Sequence, residues 1–249
     1  MIKIKTYLLP AFLLLLSSYF HSAKAQRASD GKTSLSEKQK AVVLSAAFTA
    51  KGDLLKLKQA LNKGLDAGLT VNEIKEVLVH TYAYCGFPRS IQGLNTLMAT
   101  LEERKSKGVN DNFGREATPL SNDTNKYETG WKNLAKLGGR PTNGPIEKPT
   151  SGYGAFSPEI DRFLKEHLFA DLFSRDVLTF AERELVTVSV LTALGAGVEP
   201  MLGSHLGLAM KQGFTTNQLE EVLTTIGNSV SKTDADRARI VLSEVQSRN

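Results

Sequence analysis

The sequence predicts an all-α fold built from two homologous helical units. Three observations carry that prediction. Strand-like alternation is absent, and helix-start signals recur along the chain. The chain also matches itself without a gap at an offset of 145 residues: the stretch from Ser36 lies over the stretch from Ala181, pairing Glu37/Glu182, Val43/Val188, Gly52/Gly197, Leu57/Leu202, Leu61/Leu206, Gly68/Gly213 and Glu76/Glu221.

Each unit reads as three helices followed by a charged amphipathic one. In the first unit these are expected at about 35–50, 54–66 and 71–85, then 89–106; in the second at 180–195, 199–211 and 216–230, then 234–247. The capping boxes Ser34-x-x-Glu37, Thr70-x-x-Glu73, Thr179-x-x-Glu182 and Thr215-x-x-Gln218 mark their starts, since a side-chain oxygen at the cap and an acid or amide three residues on satisfy each other's backbone donors. Gly68 and Gly213 fall where the preceding helix must stop. The chain divides into a leader (1–25), repeat 1 (31–107), a loop-rich linker with a short helix at 127–137 (108–152), and repeat 2 (153–249). Ser157-Pro158 opens additional helical sequence at the start of repeat 2, with no counterpart before Ser34.

The leader has Lys3 and Lys5, an apolar run, and Ala23-Lys24-Ala25. That layout is expected of a secretory signal peptide cleaved after Ala25, giving a periplasmic or secreted protein without a membrane anchor. Without Lys3, Lys5 and Lys24 the net charge falls from +5 to +2, and no basic stripe interleaved with aromatics remains, which argues against nucleic acid. The single cysteine, Cys85, excludes an internal disulfide. No metal or nucleotide motif is present, so no metal or cofactor is expected.

The chemistry is sought in TFAERELVTVSVLTAL (179–194). Phe180, Glu184, Val188 and Leu191 share one helical face, which puts a carboxylate in an apolar stripe. Such an acid needs compensation. The next helix carries His205 among Leu202, Leu206 and Ala209, and a short Gly-containing turn favours antiparallel packing that would join the two. A facing Glu184–His205 pair suits proton transfer; the same pair could equally be an ion pair that holds two helices in register. In the ungapped register Gln39 and Ala60 replace them in unit one, so the pair is not needed for every unit to fold. His80, Tyr84 and Cys85 lie instead on the third helix of unit one, which suggests a pseudo-dimer with a composite pocket; ordinary core packing of His80 and the tyrosines is the alternative. His167 is expected to be a surface or packing residue.

RELVTVSVLTALGAG…GSHLGLAMKQGFTTNQLEEVL and EIKEVLVHTYAYCGFPRSIQGL resemble the carboxymuconolactone decarboxylase family of the alkylhydroperoxidase-like superfamily. The resemblance implies compact helical bundles assembled into homo-oligomeric rings, here such as a trimer of two-domain chains. It implies decarboxylation of a small carboxylated or lactone-type substrate, with Glu184 and His205 as the acid–base pair and Arg183 binding substrate; in the composite pocket His80 and Tyr84 would bind it too. Arg183 would attract a substrate carboxylate, or else be a solvated helix residue. Peroxide-reducing relatives use Cys-x-x-Cys ahead of the histidine, but Val198 and Met201 occupy those places here, and Asp53 and Lys56 in unit one. A peroxidase reading would therefore rest on Cys85 alone. A non-catalytic oligomeric binding protein is the third reading.

Overall fold

The computed structural model describes residues 34–120 and 125–248, so the predicted leader lies outside the described residues. Every regular element among them is helical. In unit one these are α1 (Glu37–Lys51), α2 (Leu54–Asp66) and α3 (Val71–Ser106). Then come α4 (Lys126–Leu137), α5 (Gly152–Phe156) and α6 (Pro158–Phe163), which runs into a π-helical stretch (Leu164–Leu172). Unit two continues with α7 (Phe180–Leu194), α8 (Glu199–Lys211), α9 (Thr216–Ser229) and α10 (Lys232–Ser247). None of these is long and apolar enough to cross a membrane.

The two sequence-predicted helices at 71–85 and 89–106 are one element with a break. Gly86 adopts φ 83°, ψ 158°, outside helical space, and Pro88 follows where the second half begins. Such a φ is costly for any residue with a Cβ, which explains glycine at the hinge.

The repeat is real, but its register changes inside each unit. α2/α8 and the starts of α3/α9 keep the offset of 145, whereas α1 and α7 superpose at 143. Their N-caps are Ser36 and Thr179, their N3 residues Gln39 and Glu182, and their C-caps Gly52 and Gly195, both with positive φ. The capping box of α1 is thus Ser36–Gln39 rather than Ser34–Glu37. The turn after Gly195 is two residues longer than the one after Gly52 and absorbs the difference. An ion pair verifies the shifted register: Arg183–Glu76 (3.3 Å) and Lys40–Glu221 (3.2 Å) are mates, Arg183 over Lys40 at 143 and Glu221 over Glu76 at 145.

α1 and α7 pack against each other at the centre, α3 reaches across to α7, and α9 reaches across to α1. One apolar core therefore spans both units, including Val43, Val186, Leu61 and Leu206. The linker is more than a connection. α4 lies against the π-helical stretch, and Leu137, Leu168, Phe169, Leu172 and Phe173 form a second apolar cluster that Tyr82, Tyr84, Phe180 and Leu208 join. Asn133 Nδ2 donates to the Phe169 carbonyl (2.8 Å) and to Ser174 Oγ (3.0 Å), supplying a partner where π geometry displaces the usual one. Gly130 makes the close approach possible: a Cβ there would sit 1.8 Å from the Lys165 carbonyl oxygen.

Gly130→Ala should therefore cost about 1–3 kcal/mol or more in urea unfolding, because backbone rather than a flexible side chain must yield. Gly207→Ala, in α8 with open space around it, should instead gain roughly 0.5–1 kcal/mol.

Candidate active site

α7 positions the central acid. Glu184 lies one turn into the helix, in the run from Arg183 to Ala193 that is buried throughout, and has no exposed surface. α8 returns antiparallel and brings His205 to it: Nδ1 stands 2.8 Å from Glu184 Oε2. The imidazole keeps 15% of its side chain exposed, so the pair has a dry end and a wet end. Glu184 Oε1 is buried without a hydrogen-bond partner. With Nδ1 engaged, Nε2 is the ring nitrogen left for a substrate.

α3 of the other unit closes the third side. The Tyr84 ring stands edge-on to His205, centroids 5.5 Å apart at 86°, and 5.4 Å from His80. Side chains of both units therefore meet at this corner, which is the juxtaposition a composite pocket would need. Burial, followed by the nearby Glu184 charge, pushes the Tyr84 phenol above its ordinary range, with Thr187 and Arg183 opposing. The phenol therefore remains protonated at neutral pH. Its hydroxyl is buried and makes no hydrogen bond of good geometry.

Behind Tyr84 lies a buried polar chain whose protonation can be derived. Arg183 can only donate, so His80 Nδ1, 3.3 Å from Arg183 Nη1, must accept. The proton of neutral His80 is then on Nε2 and is donated to Thr187 Oγ1 at 3.1 Å. Thr187 in turn donates to the Arg183 carbonyl at 2.9 Å. Burial above all, then the charges of Arg183 and His205, hold the His80 pKa well below the usual histidine value. Arg183 is itself buried, and its Nη2 donates to Glu76 Oε2 (3.3 Å) and to the Arg175 carbonyl (2.7 Å). Burial lowers its pKa, and the Glu76 charge counters that. Arg175 completes the cluster with a forked contact to the Glu76 carboxylate, its Nε donating to Oε1 at 2.8 Å.

Two expectations are thereby corrected. Arg183 is neither solvated nor open to a substrate carboxylate, because Glu76 and the Arg175 carbonyl already hold its guanidinium. His80 has no exposure and both ring nitrogens are used, so it positions its neighbours rather than touching substrate. Their partners were not predicted: Glu76 lies 107 residues before Arg183, and no local spacing signals that contact. The shifted register also replaces Gln39, which caps α1, with Ala41 as the mate of Glu184.

Cys85 is half-buried, and its thiol donates to the Thr81 carbonyl at 3.1 Å. Burial raises its pKa, with Thr81 and Arg89 opposing, so the thiol resists forming the reactive thiolate. His167 is indeed a half-exposed residue, bonded to Asp171 Oδ2 (3.0 Å) and to the Tyr82 hydroxyl, whose ring stacks on Phe87 at 4.5 Å. Two clefts, of about 300 and 210 Å³, lie away from the Glu184–His205 pair: one at the starts of α3 and α7, the other between α1, α2 and α9. No group of His, Cys, Asp or Glu that could hold a metal ion occurs among the described residues.

A model of the carboxymuconolactone decarboxylase family matches residues 15–97 and 158–231. The chain belongs to the carboxymuconolactone decarboxylase family. The two matched stretches take in α1, α2 and the first part of α3, then α6 to α9, which agrees with two tandem units of this family's helical fold. The first stretch starts ahead of the predicted cleavage point. No curated protein matches the chain. Membership suggests decarboxylase or peroxidase-like activity, and the family also includes non-catalytic members.

Glu76→Gln should cost about 3–5 kcal/mol, because it strands a buried guanidinium. Lys40→Gln, at the solvent-facing mate, should change the unfolding midpoint little. His80 also imposes a pH dependence. Its folded pKa is depressed, so the unfolded chain takes up the proton first as pH falls. The stability tied to neutral His80 is full above about pH 6.5 and is lost as pH falls from there towards the folded pKa. Between pH 7 and 5.5 the thermal midpoint of the native protein should drop more than that of His80→Gln; parallel drops would refute this assignment.

Proposed function

We propose that the protein is an exported enzyme of the carboxymuconolactone decarboxylase type, acting on a small carboxylated or lactone-like substrate through Glu184 and His205. The observation that supports this most is the 2.8 Å contact between a carboxylate with no exposure and an imidazole that keeps 15% of its side chain exposed and has its other nitrogen uncommitted. Export is supported by the pattern of residues 1–25. Assembly with further copies is supported by the apolar stripe Phe87, Ile91 and Met98, which α3 leaves exposed.

In this reading the substrate's scissile carboxylate breaks its C–C bond and leaves as CO2. The electron pair is delocalised into the conjugated lactone as an enolate, and His205 Nε2–H delivers a proton to the carbanionic carbon. Glu184 steadies the imidazolium during that transfer by accepting its Nδ1–H. Tyr84, kept as a phenol with its hydroxyl buried, stands against the His205 ring at 86° and limits its rotation. Arg183 takes no part in binding the substrate carboxylate here; with Glu76 it anchors α7 to α3.

The experiment is CO2 release from carboxymuconolactone by the purified chain. Glu184→Gln and His205→Asn, the latter keeping an N–H donor near the place of Nδ1, should each lower turnover about 10²–10⁴-fold while the circular dichroism stays native. Cys85→Ser should leave both turnover and any peroxide consumption unchanged. Loss of peroxide consumption in Cys85→Ser would favour the peroxidase reading. Changes in stability or assembly alone, in the Glu184 and His205 variants, would favour a binding protein.

A further inference from the structure

The pseudo-symmetry that relates the two units also relates the acid–base corner to a second corner with the opposite composition. With α1/α7 at an offset of 143 and the remaining helices at 145, Glu184 corresponds to Ala41, His205 to Ala60, Tyr84 to Ser229 and Thr187 to Leu44. The bulky polar groups of one corner are all replaced by small or apolar ones in the other. A cleft of about 210 Å³ lies at this corner, open to solvent on one side and lined by Leu44, Phe48, Gln59, Ala60 and Ser229. Its floor is apolar, with Phe48 and Ala60 both buried.

The rim is changed as well. Lys56 and Lys63 border the cleft from α2, where Met201 and Leu208 stand at the matching places of α8. Lys56 Nζ lies 5.8 Å from the Phe48 ring centroid and 3.7 Å from Asp53. Lys63 is exposed and has no acidic partner among the described residues. An apolar floor with cationic groups on one edge fits a molecule of matching polarity: an apolar body with one carboxylate. The volume is below the roughly 300 Å³ at which ordinary ligand pockets begin, so the body can be no larger than about a single ring.

We propose that this cleft is a second, non-catalytic site for a small apolar monocarboxylate, held by its body on Leu44, Phe48 and Ala60 and by its carboxylate at Lys63 and Lys56. This corner has no counterpart of the acid–base groups, so occupancy involves no chemistry. The claim is independent of what Glu184 and His205 do.

Benzoate is the probe, titrated into the full chain and followed by saturation-transfer NMR, with benzamide as the uncharged control. Benzoate should bind and benzamide should bind at least several-fold more weakly. Ser229→Tyr restores the bulk that Tyr84 supplies in the other corner, and should weaken benzoate at least 10-fold. Lys63→Gln, an exposed change that cannot threaten folding, should weaken it several-fold. His205→Ala should leave it unchanged. The proposal is overturned by absence of benzoate binding, by binding insensitive to both Lys63→Gln and Ser229→Tyr, or by binding that disappears in His205→Ala.

Discussion

Two buried or half-buried carboxylates, Glu76 on α3 and Glu221 on α9, each cross from one unit to the first helix of the other. Glu76 meets Arg183 on α7 and Glu221 meets Lys40 on α1. These contacts, with the packing of α1 against α7 between them, set how far each third helix leans over its neighbour. That lean places Tyr84 against His205. Were the two units merely tethered, residues of α3 would have no fixed relation to α8, and the corner that holds Glu184 would lack its third wall. Fixing the geometry this way has a thermodynamic cost, because Arg183 and Glu76 are both removed from water. The cluster is tolerable because Arg175 and a backbone carbonyl take up donors and acceptors that a single pair would leave unmet.

An internal repeat also separates architecture from chemistry without recourse to relatives. The crossing ion pair occurs in both halves, in chemically conservative forms, as a requirement of the fold should. Glu184 and His205 of unit two, and Tyr84 of unit one, have no counterpart of like chemistry in the opposite half. If a buried acid and its imidazole were required to align a first and second helix, α1 and α2 would need an equivalent, yet they manage with Ala41 and Ala60. The asymmetry favours a functional role for the pair. It also fits the added helical material between α3 and α7, since α4 and the π-helical stretch form, through Leu137 and Phe173, the apolar cluster that Tyr84 joins.

Much of this was legible in the sequence, and the failures have physical causes. Helical periodicity places Glu184 on the buried face, and a short turn makes α8 antiparallel to it, so the Glu184–His205 contact follows from local rules. The same ungapped reading misassigned the mate of Glu184, because Ser34-x-x-Glu37 imitates a cap two residues before the true one at Ser36. Only the crossing ion pairs reveal the two-residue slip, and these join positions far apart in sequence. For the same reason Arg183 reads as a surface or binding residue: nothing within a helical turn announces Glu76. The 108–152 segment has the composition of a linker, and its contact with the π-helical stretch depends on one glycine whose importance appears only when a carbonyl is found against it.

The position of His80 bears on how a permanent cation and the proposed proton-transferring pair can share so small a volume. Arg183 would repel a proton from any imidazole it faced directly, and His205 must be free to gain one. Between them stand His80 and Tyr84. His80 presents its lone pair to Arg183 and its N–H to Thr187, which occupies both nitrogens and leaves it neutral; Tyr84 is kept neutral by burial. The uncharged rings of His80 and Tyr84 form the successive contacts from the guanidinium to His205, and the hydrogen-bond chain ends on the Arg183 carbonyl rather than continuing to His205. The guanidinium that anchors α7 thus has no hydrogen-bonded connection to His205, and Glu184 is the ionisable group hydrogen-bonded to that imidazole.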